Sequence, residues 1–464
     1  MFLELDKKDK EKIALIDSEG THVSYGDIVT FSSLLKEFVS ERALIFILNN
    51  NSAGAAIGYL GVMINRVVPL IIPASMDSEL LSGLIETYHP KYLWQPKEMI
   101  KDDEKVVFEA FEYGLLLTGY ESPMLHKDLS LLLTTSGSTG SPKLVRHSYK
   151  NLEEQAKNIA AFFEMNGTER AMVDLPINYT MGLSVLNSHL YAGALVLLTS
   201  LNPLKKEYWT FLKENEATIL TNVPYYYEIL KKLRFFQMNL PFIKVISQGG
   251  GRLSDELYKE YAEFAVKNGK KFIPTYGQTE GSARMAYLPA ELSSKKCGSI
   301  GHAIPNGRLY LIDEEGNNLD KPNVIGEMVY EGPNVTLGYA QSREDLLLGD
   351  ERHSVLHTGD MAKMDEDGCF YIVGRKKRFL KLWGYRVGLD ECENLIKSAF
   401  EVECACTGDD KCMKIFVTSS DHVTEIKKYI SNKTNINSSA FQVQYVESIP
   451  RNEAGKILYS KLVQ

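Results

Sequence analysis

Residues 43–72 read ALIFILNNNSAGAAIGYLGVMINRVVPLII, and this stretch decides the fold class. Ala43 to Leu48 has the length and composition of a buried strand. Asn51 to Arg66 follows as a helix, and Val67 to Ile72 as a second strand. The most apolar part, Gly58 to Pro73, is broken by Asn65 and Arg66. A membrane-spanning helix needs about 20 largely apolar residues, so the stretch reads as a core helix running into a strand and no membrane span is expected. Strand, helix, strand is the signature of an α/β layer built on parallel sheet.

Further along, the pattern recurs. Ala194 to Leu198, Thr218 to Asn222, Ile243 to Ser247 and Lys271 to Thr275 read as strands, with helical stretches such as Asp255 to Asn268 beside them. After about residue 296 the texture changes to short strands separated by turn sequences, Asp313–Gly316, Glu331–Pro333 and Asp365–Gly368. This predicts a β-rich region ending near Gly374. The basic run Arg375–Arg378 then precedes a last segment with helices at Leu389–Phe400 and Val423–Asn432 and strands at Met413–Thr418 and Gln442–Val446, a small α+β domain. A chain of 464 residues is too long for one core. The net charge of −8 argues against a nucleic-acid surface. Six irregularly spaced cysteines suggest neither a disulfide framework nor a zinc site, and free thiols in a reducing cytoplasm are expected. The first residues are charged from Glu4 and lack the apolar core of a signal peptide.

Four short motifs carry chemistry. Thr134 to Lys143 (TTSGSTGSPK) abuts the apolar run Leu129–Leu133; glycines let successive N–H groups point inward, and hydroxyls and Lys143 suit a polyphosphate. A Ser/Gly-rich surface linker is the alternative, and no Walker lysine follows the last glycine. Tyr276–Glu280 (YGQTE) sits at the end of a strand, where open α/β sheets bind ligands. His357–Asp360 (HTGD) places an aspartate where it could accept from two ribose hydroxyls, though Gly-Asp also serves ordinary turns. Pro450–Ile457 (PRNEAGKI) presents Lys456 on a glycine-containing loop, a point charge suited to charge developing on a carboxylate or phosphoryl oxygen.

Together, in this order, and with Gly374–Gly384 (GRKKRFLKLWG) between the last two, these motifs resemble those of the ATP-dependent adenylate-forming superfamily: acyl- and aryl-CoA synthetases, carrier-loading adenylation domains and luciferases. The resemblance runs from about residue 20 to the end. It implies an α/β fold with a large N-terminal region of α/β sheet subdomains plus a β-rich subdomain, residues 1–376, and a small mobile α+β lid, residues 377–464. It implies ATP and Mg²⁺, with CoA or a phosphopantetheine thiol as acceptor. Thr135, Ser136, Gly137, Ser138, Thr139, Gly140 and Lys143 would hold the β- and γ-phosphates. Gly249, Gly250 and Gly251 would lie against adenine, Tyr276 would stack on it, and Asp360 with Arg375 would take the ribose. Thr279 would touch the α-phosphate, Glu280 would ligate the metal, and Lys456 would bridge the reacting carboxylate and phosphate. Lys377 falls at the hinge, and Lys381, Trp383 and Gly384 would line the thiol tunnel. A nuclear signal in Arg375–Arg378 is disfavoured by its place in the hinge motif.

Departures from the family pattern bear on the substrate. Leu144 replaces a glycine, Tyr459 replaces an arginine, and Tyr179 stands where acyl and aryl ligases often carry histidine. No aspartate lies in Leu175–Leu183 to pair a substrate ammonium, so an α-amino acid is disfavoured. Asn178, Tyr179, Met181, Gly182 and Gln248 are the expected acid pocket; core packing is the alternative for Tyr179 and Met181. The surface loop between Val402 and Thr418 is short, which raises an acyl carrier protein as acceptor, with CoA still favoured. A small-molecule carboxylic acid is the expected substrate; a catalytically silent nucleotide sensor is the alternative of another class, disfavoured by Glu280 and Lys456.

Overall fold

The computed structural model describes residues 1–464 apart from 40–41, 135–142, 377, 383–384, 435, 453–454 and 463–464. The unit expected at 43–72 forms as Leu44–Asn49, Ala53–Ile64 and Val68–Pro73, with its two strands parallel and Ile45 beside Pro69. The helix is buried from Ala53 to Met63, which explains its small residues. A β-carbon on Gly58 would lie 2.1 Å from Trp94 Nε1, and that indole donates to the carbonyl of Gly54 at 2.9 Å.

Two sheets enclose this helix. Among the described residues, one has eight strands, in the order Gly338–Ala340, Leu144–Ser148, Leu129–Thr134, Val68–Pro73, Leu44–Asn49, Tyr92–Pro96, Tyr113–Leu117, Lys105–Ala110. The other has nine, and its parallel part runs Lys271–Tyr276, Val245–Gln248, Ile219–Asn222, Arg170–Val173, Leu195–Leu198, Ile13–Asp17. The helices Ala53–Ile64 and Thr180–Tyr191 share one core with Ile45 and Ile47 of the first sheet and Val173, Val196 and Leu198 of the second.

Strand–helix alternation misses two things here. Antiparallel strands close the edges of both sheets, some joined by short turns such as Phe111–Glu112 and some, such as Gly338–Ala340 beside Leu144–Arg146, brought together from distant parts of the chain. The first strand, Ile13–Asp17, hides behind a charged lysine-rich leader, yet it joins the layers: Asp17 Oδ2 accepts from the amide of Ala53 at 2.9 Å, at the start of the buried helix.

The β-rich region is an antiparallel sheet of Arg308–Ile312, Gly326–Glu331, Val355–Met364 and Phe370–Arg375. Beyond it, the hairpin Phe379–Leu382/Tyr385–Gly388, the helices Leu389–Phe400 and Val423–Thr434, and the strands Cys404–Asp409, Cys412–Val417 and Phe441–Tyr445 close around their own core, from Leu380 to Phe441. The expected short loop is a tight turn at Asp409–Cys412. The basic run is spent on folding contacts: Arg375 Nε lies 3.4 Å from Asp360, Lys376 is 2.7 Å from Glu327, and Arg378 pairs with Asp390 at 2.5 Å and Glu393 at 2.7 Å. Tyr459, in place of the family's arginine, donates to Glu393 at 3.2 Å and lies under the Arg378 guanidinium at 3.9 Å.

Two fully enclosed histidines set an acid limit on the fold. Burial, with lesser repulsion from Arg352, lowers His147 from 6.5 to about 3; burial lowers His189 to about 4, with the Arg284 charge acting in the same direction. Both are neutral when folded, so their contribution is intact above pH 6.5 and is lost as the pH falls, because unfolded imidazole binds a proton that the folded one refuses. Each group removes about 1.4 kcal/mol per pH unit below that value until its folded pKa is reached. Unfolding free energies measured between pH 6.5 and 4.5 are expected to fall with this slope, and His147→Gln to make the slope shallower by about one proton. An unchanged slope would mean that His147 protonates in the folded state.

Candidate active site

Parallel pairing brings Asn222, Gln248 and Tyr276 to one edge of the larger sheet. There the amide of Gly249 donates to the carbonyl of Asn222 at 3.1 Å, Gly250 takes a left-handed φ of 76°, and Gln248 Nε2 closes the turn on the carbonyl of Gly251 at 2.7 Å. The first turn of the helix Thr180–Tyr191 faces this glycine segment. A β-carbon on Gly249 would lie 3.0 Å from Met181 Cε, and one on Gly250 would lie 3.1 Å from the Tyr179 hydroxyl. Gln248, the three glycines, Tyr179 and Met181 therefore meet as expected. Gly182 does not line the same space: its β-carbon would come within 2.3 Å of the Leu175 carbonyl, so it serves backbone packing. Asn178 is turned to the other sheet, where its Oδ1 accepts from Asn49 at 2.8 Å.

The next strand end is shaped by Gly277, whose β-carbon would lie 1.5 Å from the Ala283 carbonyl; glycine is obligatory there. Tyr276 donates to Asp360 Oδ2 at 2.5 Å, and Gln278 Nε2 reaches the same oxygen and the Thr358 carbonyl, both at 2.9 Å. Burial holds the Asp360 carboxyl above its ordinary range, against the opposing pull of Arg375 and these donors. Enclosure and the Asp360 charge push the Tyr276 phenol well up, so it remains a donor. Thr180 Oγ1 donates to Thr279 Oγ1 at 2.9 Å, which ties the motif to the buried helix. Glu280 Oε1 accepts from Tyr339 at 2.7 Å, and the Tyr339 ring carries Lys143 Nζ at 5.4 Å and Arg352 at 4.6 Å.

Lys456 arrives from the far end of the chain. Its loop is closed by the Asn452 amide to the Lys456 carbonyl at 2.9 Å, the Gly455 amide to the Asn452 carbonyl at 2.8 Å, and Arg451 to the Gly455 carbonyl at 2.9 Å. Gly455, at φ 72°, rests against Val223 and Tyr225, and the Arg451 guanidinium covers the Tyr225 ring at 4.8 Å. Lys456 Nζ then lies 5.2 Å from the centre of the Tyr179 ring, beside the glycine segment. Thr135 to Gly140, Lys377, Trp383 and Gly384 lie outside the described residues. Lys381 falls on the strand Phe379–Leu382, paired with Arg386.

The model of the AMP-binding enzyme family matches residues 4–340. The chain belongs to that family. A long-chain-fatty-acid–CoA ligase of Salmonella typhimurium is 27% identical over 89% of this AMP-binding enzyme and 77% of its own length. A 2-succinylbenzoate–CoA ligase of Oceanobacillus iheyensis is 25% identical over 79% and 80%. The o-succinylbenzoate CoA synthetase of Bacillus subtilis, solved with an acyl-adenylate intermediate, superposes with a TM-score of 0.81 at 20% identity, covering 100% of this chain and 97% of its own. The same synthetase is known with ATP and a magnesium ion. The large α/β region and small C-terminal domain expected from the motifs match this fold.

Motif reading of the AMP-binding enzyme missed Tyr339, Gln278 and Thr180. Gln278 was within a quoted motif; Tyr339 is 59 residues from Glu280 and carries no local signal. The donor set suits magnesium, a hard cation commonly held by one or two carboxylates together with substrate phosphates. Among the described residues no group of three metal-binding side chains exists, and Glu280 keeps one oxygen beyond the bond from Tyr339. Loss of a bond to a charged group costs about 10–100-fold. Tyr339→Phe is therefore expected to lower kcat/KM for ATP by about that factor and to raise the Mg²⁺ needed for half-maximal rate. A Mg²⁺ titration identical to wild type would take Tyr339 out of the site.

Proposed function

We propose that this enzyme joins a non-amino carboxylic acid to ATP, releases pyrophosphate, and transfers the acyl group from the adenylate to the thiol of CoA. The observation that carries the reading is the meeting of Lys456 with Tyr179, beside Gly249–Gly251, with the next residue, Thr180, hydrogen-bonded to Thr279. In the first step a carboxylate oxygen attacks the α-phosphorus and the pyrophosphate oxygen leaves. Both partners are anionic, so the site must supply cations and donors, with little proton transfer required. Lys456 lies where it could touch carboxylate and phosphate together, and Thr279 is held by Thr180 as a phosphate donor. Asp360, aligned by Tyr276 and Gln278, takes the ribose. Magnesium bound at Glu280 would offset phosphate charge. In the second step the thiolate attacks the acyl carbonyl and AMP leaves.

The absence of an ammonium on the acid is supported by Asp174, the carboxylate just before Leu175. Its oxygens accept from Asn222 at 2.8 Å and Tyr208 at 3.0 Å, and enclosure raises its pKa to about 6. We place the lid boundary at 376/377, where the antiparallel sheet has ended at Arg375 and the separate core begins at Leu380. The docked Lys456 loop suits the adenylation pose, and the lid would turn to admit the thiol. A carrier-protein arm is the alternative acceptor, favoured by the tight Asp409–Cys412 turn. A cytoplasmic setting goes with this reading; among the described residues no helix is long and apolar enough to cross a membrane.

The test is acid-dependent pyrophosphate release and hydroxylamine trapping of the adenylate, with fatty, aromatic, hydroxy and amino acids. Lys456→Ala is expected to lower adenylate formation by about 10²–10³, the usual effect of removing one preorganised donor, with ATP affinity within a few-fold of wild type. Equal loss of ATP binding would remove the lysine from the chemical step.

A further inference from the structure

Behind the phosphate-facing loop lies a cation that the adenylation steps do not use. Arg284 follows the Tyr276–Glu280 segment after two left-handed residues, Ser282 at φ 52° and Ala283 at φ 92°. It is 2% exposed. One of its amino groups donates to Ser184 Oγ, its Nε meets no acceptor, and no carboxylate pairs with it among the described residues. Burial lowers its pKa to about 10, so it stays charged at neutral pH.

Arg146 shows how this fold satisfies a structural arginine. It is also fully buried, yet it reaches Glu351 and the carbonyls of Tyr339, Leu348 and Gly349. A guanidinium with one hydroxyl acceptor, and otherwise only the Phe163 ring 5.6 Å from its centre among the described residues, is a different object, because a buried charge is costly unless an anion or several acceptors meet it. The surroundings are short of partners in the same way. His189 Nδ1 lies 2.8 Å from the Val185 carbonyl, which places the proton on Nδ1 and leaves the Nε2 lone pair unmet. Gln155 donates to the Arg284 carbonyl at 2.9 Å, and its Oε1 has no donor among the described residues.

Ser184 fixes where this charge sits relative to the chemistry. It lies on the helix Thr180–Tyr191, one turn beyond the residues that meet Thr279 and Gly249. Four residues at 1.5 Å each put the Ser184–Arg284 contact on the order of 6 Å along the helix from Thr180. Fatty acids present only methylenes at that depth. A second carboxylate would meet the guanidinium edge that carries Nε, the edge suited to bidentate pairing.

We propose that Arg284 is a specificity-determining residue that receives a second carboxylate at the far end of the substrate, making short dicarboxylic acids the preferred class. This rests on the ligase reading above. The experiment measures pyrophosphate release across the dicarboxylates from oxalate to adipate, each beside its monomethyl ester, and across monocarboxylates from propionate to octanoate with benzoate. Wild type, Arg284→Gln, Arg284→Lys and Lys456→Ala are compared. At least one diacid is expected to exceed its half-ester by about 10–100-fold in kcat/KM, the usual worth of a bond to a charged group. Arg284→Gln should lose that advantage through KM for the acid while KM for ATP holds, half-esters should lose far less, and Arg284→Lys should fall between. Half-esters or monocarboxylates equal to diacids in wild type, or equal losses on every acid in Arg284→Gln, would overturn the proposal while leaving the ligase reading intact. If no acid gives a Lys456-dependent signal, the ligase reading fails, and thermal unfolding with millimolar diacids decides the arginine's role separately. A rise in Tm seen in wild type and absent in Arg284→Gln supports an anion site, and no rise overturns it.

Discussion

Parallel pairing of the strands ending at Val173, Asn222, Gln248 and Tyr276 is the constraint on which the rest depends. It delivers four chain segments to one edge, where backbone groups lose their ladder partners and turn to ligands. Side chains then tie the ends together. Asp174 holds Asn222 and Tyr208, Thr180 holds Thr279, and Gln248 closes its own turn. An aligned edge of this kind can bind a nucleotide. It cannot on its own bring two anions together, because a sheet edge carries partial charges only.

In the proposed reaction the cations for that task would come from outside the edge. Lys143 follows the strand Leu129–Thr134 of the other sheet, Arg375 ends the antiparallel sheet, and Lys456 belongs to the last domain. They are held in different ways. Arg375 is fixed beside Asp360 in a paired strand, whereas Lys456 rides on a loop held by Val223, Tyr225 and a cation–π contact. Such a contact is worth about 0.5–1 kcal/mol at an exposed site.

Buried polarity follows two patterns. Arg146 and the Arg378–Asp390–Glu393 cluster are satisfied by the protein, and they lock loops and the last domain's helix in place. His147 and His189 stay neutral at the cost of acid stability. Arg284 fits neither pattern: it is bonded to Ser184, one turn beyond Thr180 on the same helix.

Much of this was legible in the chain. The alternation at 43–72 foretold the parallel layers, and the ordered motifs foretold the family. The first strand and the antiparallel edges were hidden, because a charged leader masks one and hairpin pairing depends on neighbours that are distant or set by turns. Asn178 and Gly182 adjoin Tyr179 and Met181 in sequence, yet successive residues at a helix's start point in different directions: Tyr179 and Met181 face the glycines, while Asn178 meets Asn49 and Gly182 packs on the Leu175 carbonyl. Sequence by itself determined which chemistry-bearing residues exist and the periodicities that place them at strand ends, since both are local properties. Tertiary structure alone decided that Tyr339 holds Glu280, that Lys456 reaches Tyr179 and that Arg284 meets no carboxylate among the described residues, since pairing across tens to hundreds of residues is set by packing and by which charges the fold can bury.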